Sequence, residues 1–124
     1  MTVEGGAVID ISLEADADLS AHKYKIVKLS SDGQAAKSAA ATDAHIGIAQ
    51  DDQADAAGKA VQVRIAGESK LTAGGTIAAG AYVTSDANGD GVSTTSASDI
   101  VVAQAMQSAV DNDVFRVMLV HFRY

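Results

Sequence analysis

The chain of 124 residues contains no cysteine and no tryptophan, and its aromatic residues are three Tyr and two Phe. Without cysteine there can be no disulfide bond, thiol nucleophile, iron–sulfur cluster or cysteine zinc site. With so few aromatic rings, the core must consist of Val, Ile, Leu and Ala. A chain of this length is typical of a single domain with one modest core.

Basic residues are also few, with nine Lys and Arg against 16 Asp and Glu, which gives a net charge of −7. This balance argues against nucleic-acid binding, because such proteins replace phosphate counterions with Lys and Arg. It also argues against attachment to anionic lipid. No apolar run is long enough for a membrane helix. The first residues, Met-Thr-Val-Glu-Gly-Gly, lack the basic and apolar regions of a signal peptide, so we expect synthesis in a cytoplasm without export.

The sequence resembles itself when it is shifted by 54 residues. The matching positions are Ile48-Ala49-Gln50 with Val102-Ala103-Gln104, Gln53 with Gln107, Val61, Val63 and Ile65 with Phe115, Val117 and Leu119, and Ser31-Asp32 with Ser85-Asp86. The apolar positions of the two copies alternate in phase, and a slip of one residue would turn every strand side chain to the other face. We therefore predict an internal repeat of about 54 residues.

Short segments of alternating apolar and polar residues predict an all-β fold with at most short helical turns. The predicted strands are 8–13, 24–29, 46–49, 61–65, 82–84, 100–105 and 114–122, with a further short segment around Ile77. Turn-forming residues recur about every ten residues, which is typical of a small barrel or sandwich. The Ala-rich stretches 49–60 and 98–110 are alternatively compatible with a helical turn or two. We expect residues 1–23 to form an N-terminal strand or arm, residues 24–124 the barrel body, and 31–42 and 86–98 loops of small residues.

One segment resembles a calcium-binding loop. Asp86-Ala-Asn88-Gly-Asp90-Gly91 matches the first half of an EF-hand loop, but position twelve, which needs a bidentate Glu, is Ala97. Asn-Gly and Asp-Gly are also common tight-turn pairs. The turn is the favoured interpretation, and we expect no calcium site.

The remaining candidates for chemistry are isolated. His22, His45 and His121 show no metal-ligand spacing, and His121 is expected at an edge or interface. The acidic groups Glu14, Asp16 and Asp18, and Asp51, Asp52 and Asp55, are better explained as solvated edges than as acid–base pairs. Gly74-Gly75 is not followed by Lys-Ser or Lys-Thr, so it is not a phosphate loop. We therefore expect no catalytic residues, no metal and no cofactor, and a small hydrolase is the weakest hypothesis.

An ordered series of short pieces carries a family resemblance. The pieces are Gly47-Ile-Ala-Gln50, Val61-Gln-Val-Arg-Ile-Ala-Gly67, Ser69-Lys-Leu-Thr-Ala-Gly-Gly75, Ile77-Ala-Ala-Gly80 and Val83-Thr-Ser-Asp-Ala-Asn-Gly89. In this order they resemble the small capsid decoration, or cement, proteins of tailed bacteriophages. No single piece is specific, and the longer segment 1–23 departs from the shortest members of that family.

The resemblance implies a compact β-barrel-like domain, usually a homotrimer, on the outer surface of the mature phage head. Such proteins bind the major capsid protein at local three-fold positions and stabilise the shell. The implied location is the capsid exterior of the virion, after synthesis in the cytoplasm of the bacterial host. The family has no catalytic residues to carry over.

An alternative of a different class is a host-surface or carbohydrate-binding module displayed on the virion. Such sites stack sugars on exposed aromatic rings. The tyrosines are Tyr24, Tyr82 and Tyr124, and the first two lie in predicted strands at matching repeat positions. We expect those two in the core, which weakens this alternative.

Overall fold

The computed structural model describes residues 7–30 and 32–124, and in these residues the chain forms ten β-strands and no helix. Consequently, no described segment is a helix that could cross a membrane. The strands are β1 (Ile9–Glu14), β2 (Ile26–Leu29), β3 (Ala35–Lys37), β4 (His45–Ala49), β5 (Ala60–Ala66), β6 (Glu68–Thr72), β7 (Tyr82–Ser85), β8 (Gly91–Ser93), β9 (Ile100–Ala105) and β10 (Val114–Arg123).

The strands form two antiparallel five-stranded sheets in a sandwich-like arrangement, which confirms the all-β prediction. The N-terminal sheet has the order β1-β5-β4-β2-β3, and the C-terminal sheet has the order β6-β10-β9-β7-β8. The predicted barrel is wrong, because neither sheet closes. Within the described residues, the two edges of each sheet meet at one isolated parallel bridge. This bridge joins Ala15 to Ala35 in the N-terminal sheet and Ala73 to Gly91 in the C-terminal sheet. The edge strands β3 and β8 have three residues each and are too short for a closing ladder.

The two Ala-rich stretches contain no helical turn in the structure, so the helical alternative is wrong. Residues 100–105 are strand β9, with the predicted bounds. The predicted loops 31–42 and 86–98 instead contain β3 and β8, and β6 was also missed. Strands of three residues, such as β3 and β8, are too short to show an alternating pattern. Of the predicted repeat pair Ser31-Asp32, Ser31 lies outside the described residues.

Each sheet has its own small apolar core. Val27, Ala49, Val61 and Val63 are buried on the N-terminal sheet, together with Leu19 from the loop after β1. Val83, Ala105, Phe115, Val117 and Ile77 form the corresponding cluster on the C-terminal sheet, and Ile26 and Ile48 belong to this second cluster. Because Ile26 and Ile48 lie on strands of the N-terminal sheet, their burial in this cluster joins the N-terminal and C-terminal halves of the molecule. Burial of each Val, Ile, Leu or Phe side chain contributes on the order of 1.5–3 kcal/mol to the stability of the fold.

The two halves have the same order of strands, but their spacing along the chain is not constant. Ala49 lies opposite Val63 in the first half, and Ala105 lies opposite Val117 in the second. Val63 and Val117 are 54 positions apart, as predicted, whereas Ala49 and Ala105 are 56 apart. A shift of two residues keeps the alternation in phase, so the sequence pattern alone did not detect it. The repeat as a whole stays a prediction, which superposition of 46–66 on 100–120, with this shift allowed, would test.

Candidate binding surfaces

The described residues contain no group of three or more His, Asp or Glu side chains placed to hold a metal ion. His45 is buried, and its Nδ1 lies 2.8 Å from the hydroxyl of Ser38. Its Nε2 lies 3.4 Å from the hydroxyl of Thr84. Burial lowers the pKa of His45, since a charged ring would lose its hydration. All three side chains are buried, so this network fits a structural role better than that of a nucleophile and its base.

The segment that resembles a calcium loop is the tight turn between β7 and β8. Asp86 Oδ1 accepts hydrogen bonds from the amides of Asn88, at 2.8 Å, and Asp90, at 3.0 Å. The Asp90 carboxylate lies 3.0 Å from the ammonium of Lys25. Asp86 Oδ1 and the Asp90 carboxylate are thus already engaged within the protein, and this geometry agrees with the turn interpretation.

The predicted acidic edge lies where expected. β1 is an edge strand of the N-terminal sheet, and Glu14, Asp16 and Asp18 at its end are exposed. Of the second group, Asp55 is exposed and forms an ion pair with Lys59 at 2.7 Å. Exposed carboxylates at an edge prevent pairing with another strand.

The outer face of the C-terminal sheet carries large apolar side chains that are open to water, beside polar and charged ones. Tyr82, Gln104, Met118 and Glu68 lie opposite one another in a row across β7, β9, β10 and β6. On β10, Val114, Arg116 and Met118 are exposed and alternate with the buried Phe115, Val117 and Leu119. We call this surface the Met118 face; it comprises Tyr82, Gln104, Met106, Val114, Arg116, Met118, Glu68 and Lys70.

Three of the five aromatic residues of the chain cluster at one end of the Met118 face. The ring of Tyr82 lies 4.9 Å from that of Phe122 and 6.3 Å from that of Tyr124, both edge-on. Their exposed fractions are 38%, 40% and 42%. The expectation that Tyr82 belongs to the core is therefore wrong, and Tyr24 is only half-buried, outside the core clusters. Exposed aromatic clusters are typical of binding surfaces.

A second apolar surface is a groove of about 600 Å³ between the ends of the two sheets. Ile11, Leu13 and Ile65 of the N-terminal sheet line it, together with Phe122 and His121 of β10. His121 is exposed, but β10 is an inner strand of its sheet, so this is not an edge strand; a position at an interface stays a prediction. The groove adjoins the aromatic cluster through Phe122.

Sequence reasoning indicated that the apolar closing strands 100–105 and 114–120 are partly covered in a homo-oligomer, but it did not identify which residues form the Met118 face. On β10 the residues of both strand faces are mostly apolar, since Val114, Met118 and Val120 alternate with the core residues. A strand with two apolar faces is usually packed against other elements on both faces. In the described residues, the β10 face that carries Val114 and Met118 is exposed instead.

Comparison with known proteins gives a matching family model and a solved structure of similar fold. A family model described as phage cement protein matches residues 3–121. A search of curated proteins found no match. The crystal structure of the head fiber gp8.5 N base of bacteriophage phi29 has a similar fold, with a TM-score of 0.64 and 19% identity. The similarity covers 95% of this chain and 98% of that one.

Proposed function

The chain belongs to the phage cement protein family, and from this premise we propose that it binds the outer surface of the mature phage head and stabilises the shell. Membership of the family supports a capsid-associated structural role. The binding and the stabilisation are the proposed steps beyond it.

The observation that carries the proposal is the exposed Met118 face together with its aromatic cluster. Met118 and Tyr82 are 39% and 38% exposed on a chain with a net charge of −7. An apolar, aromatic surface on an otherwise acidic protein favours binding through shape. Such a contact needs no catalytic group.

The proposed mechanism is bridging. Each copy contacts the major capsid protein of neighbouring subunits, which must separate before the shell bursts. One contact contributes modestly, but many copies on one shell act together. Because expansion of the head forms the target surface, binding favours expanded heads over procapsids.

The finer expectations belong to this proposal. The protein acts as a homotrimer at local three-fold positions on the exterior of the virion, after synthesis in the host cytoplasm. It uses no cofactor, nucleic acid or membrane. It is not an enzyme, and the burial of Ser38 and His45 supports this.

A second candidate function is carbohydrate binding on the virion surface. The exposure of Tyr82 and Tyr124 favours it, since a sugar ring can stack on an accessible aromatic face. Tyr82 also lines a shallow cleft with Ser93 and Thr95, whose hydroxyls can bond a sugar. A glycan array with the purified protein separates this function from capsid binding.

Cosedimentation with undecorated heads tests the leading proposal. Purified protein is mixed at increasing concentration with expanded heads and, in parallel, with procapsids. We expect saturable binding to expanded heads and weaker binding to procapsids. Absence of binding to both would refute the proposal and favour the carbohydrate-binding alternative.

A further inference from the structure

We propose that the apolar groove beside β1 receives an extended segment of the major capsid protein, which pairs with the free edge of β1 and inserts an apolar side chain. The inference rests on the proposed function in one respect, since it takes the shell as the partner. It goes further because it names a second contact surface, different from the Met118 face, and the kind of segment that binds there. A copy that bridges two subunits needs two such surfaces.

The C-terminal half has a corresponding opening between its edge strands β6 and β8, and there the chain itself fills it. The amide of Thr72 on β6 donates to the carbonyl of Tyr24 at 2.9 Å. Two residues further along, the amide of Ile26 donates to the carbonyl of Gly89, in the turn before β8, at 2.8 Å. The side chain of Ile26 is buried in the same cluster as Leu71 of β6. A short segment with one apolar side chain thus closes this opening.

In the N-terminal half, the edge of β1 corresponds to that of β6. Glu14 lies opposite the first residue of β5, as Thr72 lies opposite the first residue of β10. The amide of Ala15 donates to the carbonyl of Lys59, on the side of β5. Backbone groups of consecutive residues in an antiparallel strand point to alternate sides, so the amide of Glu14 points away from β5. Among the described residues this amide has no backbone partner.

The turn after β2 supplies the corresponding acceptor. Gly33 lies in this turn as Gly89 lies in the turn after β7, and both have a positive φ, 75° and 78°. The carbonyl of Gly89 accepts from Ile26, whereas that of Gly33 accepts no backbone hydrogen bond within the described residues. An extended segment that accepts from Glu14 and donates to Gly33 therefore binds as residues 24–26 bind in the other half.

The side chains around the two openings differ in the same way. Leu13 precedes Glu14 as Leu71 precedes Thr72, and Leu29 lies opposite the first residue of β3 as Ser85 lies opposite that of β8. Leu71 and Ser85 are buried. Leu13 is only half-buried and Leu29 is 44% exposed, and both line the groove. An apolar side chain of the incoming segment covers them, as Ile26 does in its own cluster.

The charge beside this edge determines which segment it accepts. The side chains that flank it are acidic and exposed, namely Glu14, Asp16, Asp18 and Asp32. They repel a second copy of this chain, whose net charge is −7, and attract a segment that carries Lys or Arg next to its apolar residue. The segment in the C-terminal half has this composition, because Ile26 follows Lys25, which pairs with Asp90 at 3.0 Å. The edge carboxylates thus exclude unselective pairing and admit a basic segment of the shell.

The test compares two substitutions at one position for binding to expanded heads. Glu14→Pro removes the amide that the segment would use. Proline is tolerated on an edge strand where the amide faces solvent, and circular dichroism checks the fold. Glu14→Ala is the matched control, because it loses the same carboxylate and keeps the amide. Leu29→Lys is a second variant, which places a charge in the groove at an exposed position and decides the test if Glu14→Pro does not fold.

We expect Glu14→Pro to bind heads about tenfold more weakly than Glu14→Ala, and Leu29→Lys to bind about tenfold more weakly than the wild type. Hydrogen exchange of the Glu14 amide is the readout that a contact through side chains alone would not move. In the wild type this amide should exchange rapidly in the free protein and slowly in the protein bound to heads.

Failure of the inference can be told apart from failure of the proposed function. If the wild type binds heads but Glu14→Pro binds as tightly as Glu14→Ala, the inference is overturned and the function stands. If the wild type does not bind heads at all, both are overturned. Slow exchange of the Glu14 amide in the free protein would show that this chain or a second copy already fills the opening, and that result also overturns the inference.

Discussion

Tyr24 and Gly80 occupy the same place in the two halves of the molecule. The amide of Tyr24 donates to the carbonyl of Ala49 at 2.8 Å, and the amide of Gly80 donates to that of Ala105, also at 2.8 Å. Both residues have a positive φ, 61° at Tyr24 and 88° at Gly80. Only glycine adopts this conformation without steric cost. The turn before β2 in the N-terminal sheet, and before β7 at the same place in the C-terminal sheet, thus contains a left-handed residue.

Replacement of Gly80 by Ala should lower the free energy of unfolding by about 1 kcal/mol. A Cβ at this position meets no atom within 4 Å, so backbone strain is the cause. Gly75→Ala is the control, because its Cβ is equally free and its φ is not positive. Urea denaturation should show no loss of stability for the control. Equal stability of the two variants would contradict this account.

Replacement of Gly47 by Ala should destabilise the protein by about 1–3 kcal/mol through overpacking. Its Cβ would collide with the carbonyl of Arg64 on the neighbouring strand. The corresponding residue on β9, Ala103, already accommodates a Cβ within the core. Urea denaturation beside Gly75→Ala measures the effect, and an unchanged midpoint would show that β4 and β5 are less closely apposed than described.

Stability should fall as the pH is lowered from about 7 to 5, because His45 is buried in its neutral form. Its pKa in the folded state lies below the ordinary value of 6.5, chiefly through burial. The unfolded chain therefore binds the proton first. The contribution of neutral His45 to stability is complete above the pKa that this residue has in the unfolded chain. It is lost as the pH falls toward the lower pKa of the folded state. Of the nearby groups, Asp43 raises the pKa of His45, while His121 and Lys28 lower it.

His45→Gln removes the titration and keeps a partner for Ser38 and Thr84. The free energy of unfolding of this variant should depend less on pH in that range, by about 1.4 kcal/mol for each unit of pKa shift. Most carboxylates titrate at lower pH and do not obscure the difference. The same pH dependence in variant and wild type would mean that His45 is accessible to protons in the folded state.

The turn 86–91 should not bind calcium tightly, since Asp86 and Asp90 are engaged with backbone amides and with Lys25. Titration calorimetry should detect no binding at micromolar calcium. Micromolar affinity that disappears in Asp86→Ala would contradict this prediction.

The sequence pattern predicted the strands in which apolar and polar residues alternate over at least four positions, such as β1 and β5. It did not predict β3 and β8, because a strand of three residues is too short to show a period. It also placed Tyr82 in the core. The alternation of residues along β7 is the same whether or not a second sheet packs on the face of Tyr82. Whether a second sheet packs there depends on how the two sheets meet. For Ile26 that cover exists within the chain, and for Tyr82 it does not.

For the same reason, local sequence patterns could not show which residues form the candidate surface. Met118 and Gln104 are 14 residues apart and become neighbours only through the β9–β10 ladder. The family resemblance predicted the class of function, and the family comparison agrees with it. To identify the particular face, the arrangement of the strands in the sheet had to be known.

Heat-induced DNA release from undecorated heads, with and without added protein, tests the central claim most directly. Expanded heads are saturated with purified protein, heated in steps, and assayed for DNA that becomes accessible to a dye. If each copy bridges capsid subunits, release should shift to a higher temperature, and the shift should saturate with occupancy. Saturable binding that leaves the release temperature unchanged would contradict the claim that this protein stabilises the head.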